Sequence, residues 1–180
     1  MGTIHEFKED YNIGKLGEDL IADYYRSRRT QEGKDLYIVR PTKGWEQEQG
    51  ADFFVVNNEL GTKYFEVKTD TQSKDTGNVA LEIQIVSENK KSIGCALKTF
   101  PDYLFYWIYP TVEVLYWNPK ELNPYIIDWI MEGKKIVETQ NKNFFSRSML
   151  ISVEELKATG VVRTLEIPIS LIQKHGQQTI

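Results

Sequence analysis

Cysteine and histidine are nearly missing from this chain. Cys95 is the single cysteine, so no disulfide can form within it, and His5 and His175 are the only histidines. A zinc site built from cysteine and histidine therefore has too few ligands. Long apolar runs are missing too. The longest, around residues 103–109 and 126–131, fall well short of the ~20 residues that a membrane-spanning helix needs. The first residues are polar and acidic, unlike a secretory signal. Neither a Gly-x-x-x-x-Gly-Lys-Ser/Thr loop nor a Gly-x-Gly-x-x-Gly turn after a strand is present, which argues against a nucleotide-binding enzyme built on either. A reducing cytoplasm, with no membrane, is the expected setting.

A basic excess is also lacking: 22 Lys and Arg face 26 Asp and Glu, a net charge of −4. Proteins that hold nucleic acid mainly by charge are usually basic. The balance leaves room for local basic patches, of which Arg26, Arg28, Arg29 and the pair Lys90, Lys91 are candidates, and equally for a partner protein that brings a substrate. What is present is the make-up of a globule, 41% hydrophobic and 27% charged over 180 residues, enough to bury one substantial core.

No repeat or Pro/Ser-rich linker divides the chain, so a single domain over residues 1–180 is expected. Leu16, Leu20, Ile21, Tyr24 and Tyr25 recur at helical spacing after Gly14 and Gly17, with arginines in the last turn. Residues 30–50 are polar and glycine-containing and read as a loop with a short strand at 36–39. Residues 51–56 and 63–69 are β-rich and joined by turn chemistry, which predicts a hairpin. "TQSKDTGN" reads as a second loop. Residues 79–86 alternate, placing Glu82 and Gln84 on one face. Strands at 103–109 and 112–117 follow. A helix starts at Asn118-Pro119 or Asn123-Pro124 and ends near Gly133. A last strand at 148–151 leads into a capping box at Ser152–Glu155. The class is α/β (α+β) around one mixed sheet flanked by helices, with a core about 14–117 and a C-terminal elaboration about 118–180.

The triplet Glu66-Val67-Lys68 stands out. Glu-x-Lys occurs six times, beginning at Glu6, Glu32, Glu66, Glu88, Glu132 and Glu155. Only Glu66 lies within a β-rich run, where alternation puts Glu66 and Lys68 on one face and Phe65 and Val67 on the other. Only that triplet has a carboxylate, Asp52, on the neighbouring strand of the same hairpin. An aspartate opening an apolar strand is costly unless something offsets it, and a cation is one candidate. Two carboxylates suit Mg2+, a hard cation, and such a cation assists phosphodiester hydrolysis. Lys68, kept charged by the acids, suits water orientation and transition-state stabilisation.

"GKLGEDLIADYY", "GADFFVV" and "YFEVKTD" together resemble the PD-(D/E)xK nuclease superfamily, which has the restriction-endonuclease-like fold and includes Holliday-junction resolvases and phage-type members. The resemblance covers about residues 14–86. It implies a mixed central sheet with an N-terminal helix carrying a glutamate. It also implies a magnesium-dependent endonuclease acting on DNA, with Mn2+ able to substitute. Carried over by position, the catalytic set is Glu18, Asp52, Glu66 and Lys68, and the metal ligands are Asp52, Glu66, the Val67 carbonyl and Glu18. The superfamily's proline before the aspartate is replaced by Ala51.

Glu82 and Gln84 are secondary candidates for the same site. Ser73, Thr76, Asn78 and Lys98 are candidate nucleic-acid contacts, with turn formation or plain surface polarity as the competing readings. Tyr103, Tyr106, Trp107, Trp117 and Trp129 have the spacing of core residues, although base stacking is open to them. Cutting both strands would need two sites, so a homodimer is expected. The alternative to a nuclease is a catalytically silent module of the same fold that binds nucleic acid or protein.

Overall fold

The computed structural model describes residues 7–141 and 143–176; His5 and Glu6 lie outside them. Helix α1 (Phe7–Ser27) starts before Gly14 and Gly17 rather than after them. A glycine inside a helix costs about 1 kcal/mol relative to alanine, so propensity alone favours a later start. Packing overrides it at Gly17, where an added Cβ would overlap the Thr69 hydroxyl. The helix lies directly on the strand beneath it there.

Strand β1 (Ile38–Pro41) lies two residues beyond the short strand expected at 36–39, and the single helical turn α2 (Trp45–Glu48) interrupts the expected loop. Strands β2 (Phe53–Asn57) and β3 (Gly61–Asp70) then form the predicted antiparallel hairpin, in register from Phe53↔Phe65 to Asn57↔Gly61. Its turn is closed by Asn57 Oδ1, which accepts from the Glu59 and Leu60 amides at 2.8 and 3.1 Å. Asp70 ends β3 and ties down the approach to the next turn, α3 (Ser73–Thr76), by accepting from the Gln72 and Ser73 amides. Gly77, with φ 68°, follows α3. Only glycine adopts that conformation freely, and the chain departs from the β3 plane at this point.

Strand β4 (Asn78–Ser87) therefore belongs to a second sheet, and the expectation of a single sheet is corrected. It pairs with β5 (Lys90–Ile93), after which Cys95–Leu97 forms one 3-10 turn. The aromatic strand β6 (Tyr103–Ile108) takes the place beside β3 instead, in parallel register, and β7 (Glu113–Trp117) pairs with it. Helix α4 (Pro119–Met131) is capped by Asn118, whose side chain accepts from the Lys120 amide. The remaining elements are β8 (Ile136–Gln140), β9 (Phe144–Ser152), α5 (Val153–Ala158), β10 (Arg163–Glu166) and α6 (Ile169–Gly176). The predicted cap at Ser152 is present, accepting from the Glu155 amide at 3.0 Å.

The six-stranded sheet runs β1-β2-β3-β6-β7-β10, and the four-stranded one β5-β4-β9-β8. The fold is mixed α/β, a mixed central sheet flanked by helices. One face of that sheet buries Phe53, Val55, Phe65, Val67, Phe105 and Trp107 against α1, with Leu171 and Ile172 of α6 packed alongside. The other face buries Leu104, Tyr106, Leu115 and Trp117 together with Leu122, Ile126 and Trp129 of α4 and Val79, Leu81, Met149 and Ile151 of the second sheet. None of the helices among the described residues is long and apolar enough to cross a membrane.

Candidate metal and phosphodiester site

Alternation along β3 sorts its residues cleanly. Phe65 and Val67 enter the core under α1; Tyr64, Glu66 and Lys68 point to the opposite face. Glu66 is buried, with 7% of its side chain exposed, and its Oε1 lies 2.7 Å from Lys68 Nζ. Lys68 keeps 42% of its side chain exposed, so the pair has one buried end and one end at the surface. No other Glu-x-Lys triplet among the described residues is built this way. Glu32 and Lys34 also pair, but both are largely exposed. Glu155 turns instead to Lys134, and Lys157 to Glu113. Glu88 and Lys90 are exposed.

Asp52 precedes β2 by one residue. The Phe53↔Phe65 pairing puts it across from Glu66, on the same face. Its backbone is fixed on both sides: Asp52 N donates to Phe65 O at 2.8 Å, and Asp52 O accepts from Thr42 N at 3.1 Å. Its Oδ2 accepts from the Val67 amide at 2.8 Å. One strand residue's N–H and C=O point to the same neighbouring strand, so the Val67 carbonyl faces the Asp52 side of β3 as well.

These charges act on one another. Burial, then the Glu66 carboxylate, push the Asp52 carboxyl up to about 7 against an ordinary value of 3.8. Glu18 adds to that upward push, while Lys68 and the Val67 amide oppose it. Glu18, on α1, thus reaches the site by its field, although its nearest ionic partner is Lys15 at 2.9 Å. Burial opposes the charge on Lys68, but its ionisable neighbours outweigh it: Cys95 once its thiol is ionised, then the Glu66 and Asp52 carboxylates. They hold the ammonium well above the usual lysine range.

The secondary candidates divide. Glu82 is brought close: its Oε1 accepts from the Cys95 amide at 3.3 Å. Gln84 is not, and the expectation that the two share a face is corrected. A β-bulge sets Glu82 opposite Ser148 and Gln84 opposite the very next residue, Arg147, so the extra residue turns Gln84 to the other face. There it accepts from Arg147 at 3.2 Å. Gly94 packs against the bulge, where a Cβ would overlap the Glu82 carbonyl.

Ser73 is buried, its hydroxyl spent on Asp70 and the Asn78 carbonyl at 2.8 and 2.6 Å. It has no surface to offer a nucleic acid, which corrects that expectation. Thr76 and Asn78 bond to each other, and the Thr76 hydroxyl also donates to Gln72 O, as turn formers do. Lys98 donates to the carbonyl of Glu48 at the end of α2. Tyr106, Trp107, Trp117 and Trp129 are buried in the core; Tyr103 remains partly exposed. Arg26 and Arg29 are paired with Asp23 and Asp35. Lys90 and Lys91 are exposed on β5, in the second sheet.

No family model, curated protein or solved structure matches this chain. Its site is therefore read from its own geometry. Among the described residues no three Asp, Glu, His or Cys side chains converge tightly enough to cage a metal. Mg2+ does not require such a cage: it keeps several waters and takes one or two carboxylates plus substrate phosphate oxygens. Asp52 and Glu66 are such a pair, and Asp52 Oδ1 and Glu66 Oε2 have no protein partner among the described residues. The donor set fits.

Two features of the site escaped the sequence reading. Cys95 lies beside it, its thiol pushed up to about 12 by burial chiefly, against the pull of Lys68. Nothing local marks Cys95, which arrives from the far side of the second sheet's hairpin. The other is a row of rings on the Glu66 face. Phe54, Tyr64, Phe100 and Trp45 follow one another with centroids 5.8, 4.8 and 4.9 Å apart. Trp45 is 61% exposed, and Arg40 sits across from Phe54. The alternation Phe54–Val56 and Tyr64–Glu66 was the available signal; Phe100 and Trp45 come from loop and turn segments.

Proposed function

We propose that this chain is a metal-dependent endonuclease of the restriction-endonuclease-like fold, hydrolysing DNA phosphodiester bonds at the Asp52/Glu66/Lys68 site. One observation carries the reading: the Asp52 and Glu66 carboxylates stand across from each other on one face of adjacent chain segments, with an ammonium held 2.7 Å from Glu66 and reaching the surface. Such an arrangement has little value as a surface ion pair and suits an anionic substrate approaching through a cation.

Asp52 and Glu66 would hold Mg2+ or Mn2+, with the Val67 carbonyl on the same edge and Glu18 supporting from α1. Held there, the cation would contribute positive charge at a scissile phosphate and would lower the pKa of a bound water. Lys68 stays protonated throughout, so it orients that water and stabilises the charge that builds on the phosphoryl oxygens; it is not the base. The aromatic row gives bases a stacking surface next to the reacting phosphate, and Arg40 offers a cation to the strand. Two copies would cut both strands.

Nicking of supercoiled plasmid tests this. The purified chain should relax plasmid with Mg2+ or Mn2+ and not with EDTA, and Lys68→Ala should lower turnover by about 100-fold or more with folding unchanged. Binding of DNA with no cleavage under either cation would favour the silent module instead.

A further inference from the structure

The opposite face of the central sheet carries a cavity, separate from the Asp52/Glu66 site. It has a volume of about 310 Å3 and lies between the C-terminal end of α1 and the strands below it. Five tyrosines converge there: Tyr24 and Tyr25 from α1, Tyr37 before β1, Tyr103 from β6 and Tyr116 from β7. Tyr25 meets Tyr24 and Tyr37 edge-on at 5.5 and 5.1 Å, and Tyr103 and Tyr116 lie 6.0 Å apart. Burial, then the neighbouring phenols, push Tyr25 well above the ordinary tyrosine range. None of the five hydroxyls has a protein hydrogen-bond partner among the described residues, whereas those of Tyr64, Tyr106 and Tyr125 do. Five ring edges and five idle donors share one space.

The charge of this cavity is the decisive feature. Arg28, Lys63 and Arg163 line it, and no Asp or Glu among the described residues does, in a chain where acids outnumber bases. Lys63 is partnered by Asp102. Arg28 stands with its guanidinium 5.3 Å from the Tyr24 ring centroid, and neither it nor Arg163 has a carboxylate partner among the described residues. Its neighbours Arg26 and Arg29 both do. The larger cavity, about 550 Å3, lies between the turns at the end of the second sheet, and none of the described residues lining it is a lysine or arginine.

We propose that the tyrosine cavity binds a planar aromatic ring carrying an anionic group, with a nucleoside monophosphate as the representative ligand. The rings and Phe65 form apolar walls of the kind that stack a base. Phenol hydroxyls donate to ring and sugar acceptors. Arg28 and Arg163 meet the phosphate, which a guanidinium can hold through two hydrogen bonds. The volume is at the lower end of small-molecule sites, roughly 300–1,000 Å3, as a mononucleotide requires. Neither glycine loop of the familiar nucleotide folds is involved.

Calorimetric titration of the full chain with deoxyadenosine 5′-monophosphate is the test, with deoxyadenosine and inorganic phosphate as half-ligands. The monophosphate should bind about tenfold or more tightly than either half. Arg28→Ala combined with Arg163→Ala should weaken it about tenfold or more, and Tyr37→Phe combined with Tyr116→Phe a few-fold. Lys68→Ala, on the other face, should leave it unchanged, so this site and the nuclease reading fail separately. No saturable binding up to about 10 mM, full binding by the double arginine variant, or loss in Lys68→Ala would each overturn the proposal. A 5′-phosphorylated oligonucleotide that displaces the monophosphate would identify the ligand as a strand end, and one that does not, a free nucleotide.

Discussion

Asp52 is the residue on which the site's behaviour turns. Its folded value of about 7 lies above the ordinary 3.8, so the folded chain holds this proton more tightly than the unfolded chain does. The stability tied to that proton is fully present below about pH 4 and lost as pH rises through about 7. Asp52→Asn removes the charge yet keeps an oxygen to accept from the Val67 amide. Without metal, the variant should exceed the parent in stability at pH 8 by roughly 1–4 kcal/mol, and the margin should shrink to nothing near pH 4. Thermal melts across that range check it. Millimolar Mg2+ should raise the melting temperature of the parent and not of the variant, since a ligand stabilises only the state that binds it. Asp52, Glu66 and Lys68 were legible as a cluster because alternation fixes faces and a carboxylate opening an apolar strand is conspicuous. Cys95 was not, because its position depends on where β4 and β5 lie relative to β3.

Among the elements, α1 makes its tightest approach to the sheet at one glycine. Gly17 lets the helix settle onto Thr69, a residue whose buried hydroxyl finds no partner. Gly17→Ala should lift this part of α1, carry Glu18 away from Asp52 and cost about 1–3 kcal/mol. Chemical denaturation measures the loss, and adding Thr69→Ala, which removes the obstructing hydroxyl, should restore part of it. The β2–β3 hairpin was readable from period-two alternation and its asparagine turn. Glu82 and Gln84 were misread for a physical reason: a bulge inserts one residue and reverses the parity of everything after it, and sequence alternation carries no mark of that. Strands β8 and β10 were missed because they are short and mostly exposed, which leaves no apolar period to read.

At the scale of the whole molecule, the chain returns on itself. Strand β9 pairs with β4 along its length, β10 closes the central sheet beside β7, and α6 packs on α1. Lys174 and His175 of α6 both reach Asp23 of α1, at 2.6 and 3.2 Å. A chain ending at residue 159 would lose the strand covering β7 and the helix flanking α1. It should melt at a distinctly lower temperature and bind a dye for exposed apolar surface, and one ending at residue 141, without β9, should not fold cooperatively. Sequence placed helices and strands in a mixed α/β class but implied one sheet. The second sheet depends on Asp70, α3 and Gly77 steering the chain out of plane, a local event with a global result.

Strand β3 carries core on one side and charge on the other, so its alignment against β2 and β6 governs both at once. A slip by one position would send Glu66 and Lys68 under α1 and expose Phe65 and Val67, an arrangement with no stable interior. Molecules refolded from denaturant should therefore fall into two groups only, those with a sound interior and affinity for the proposed cation and those with neither. Quality of assembly could then be scored by metal titration alone.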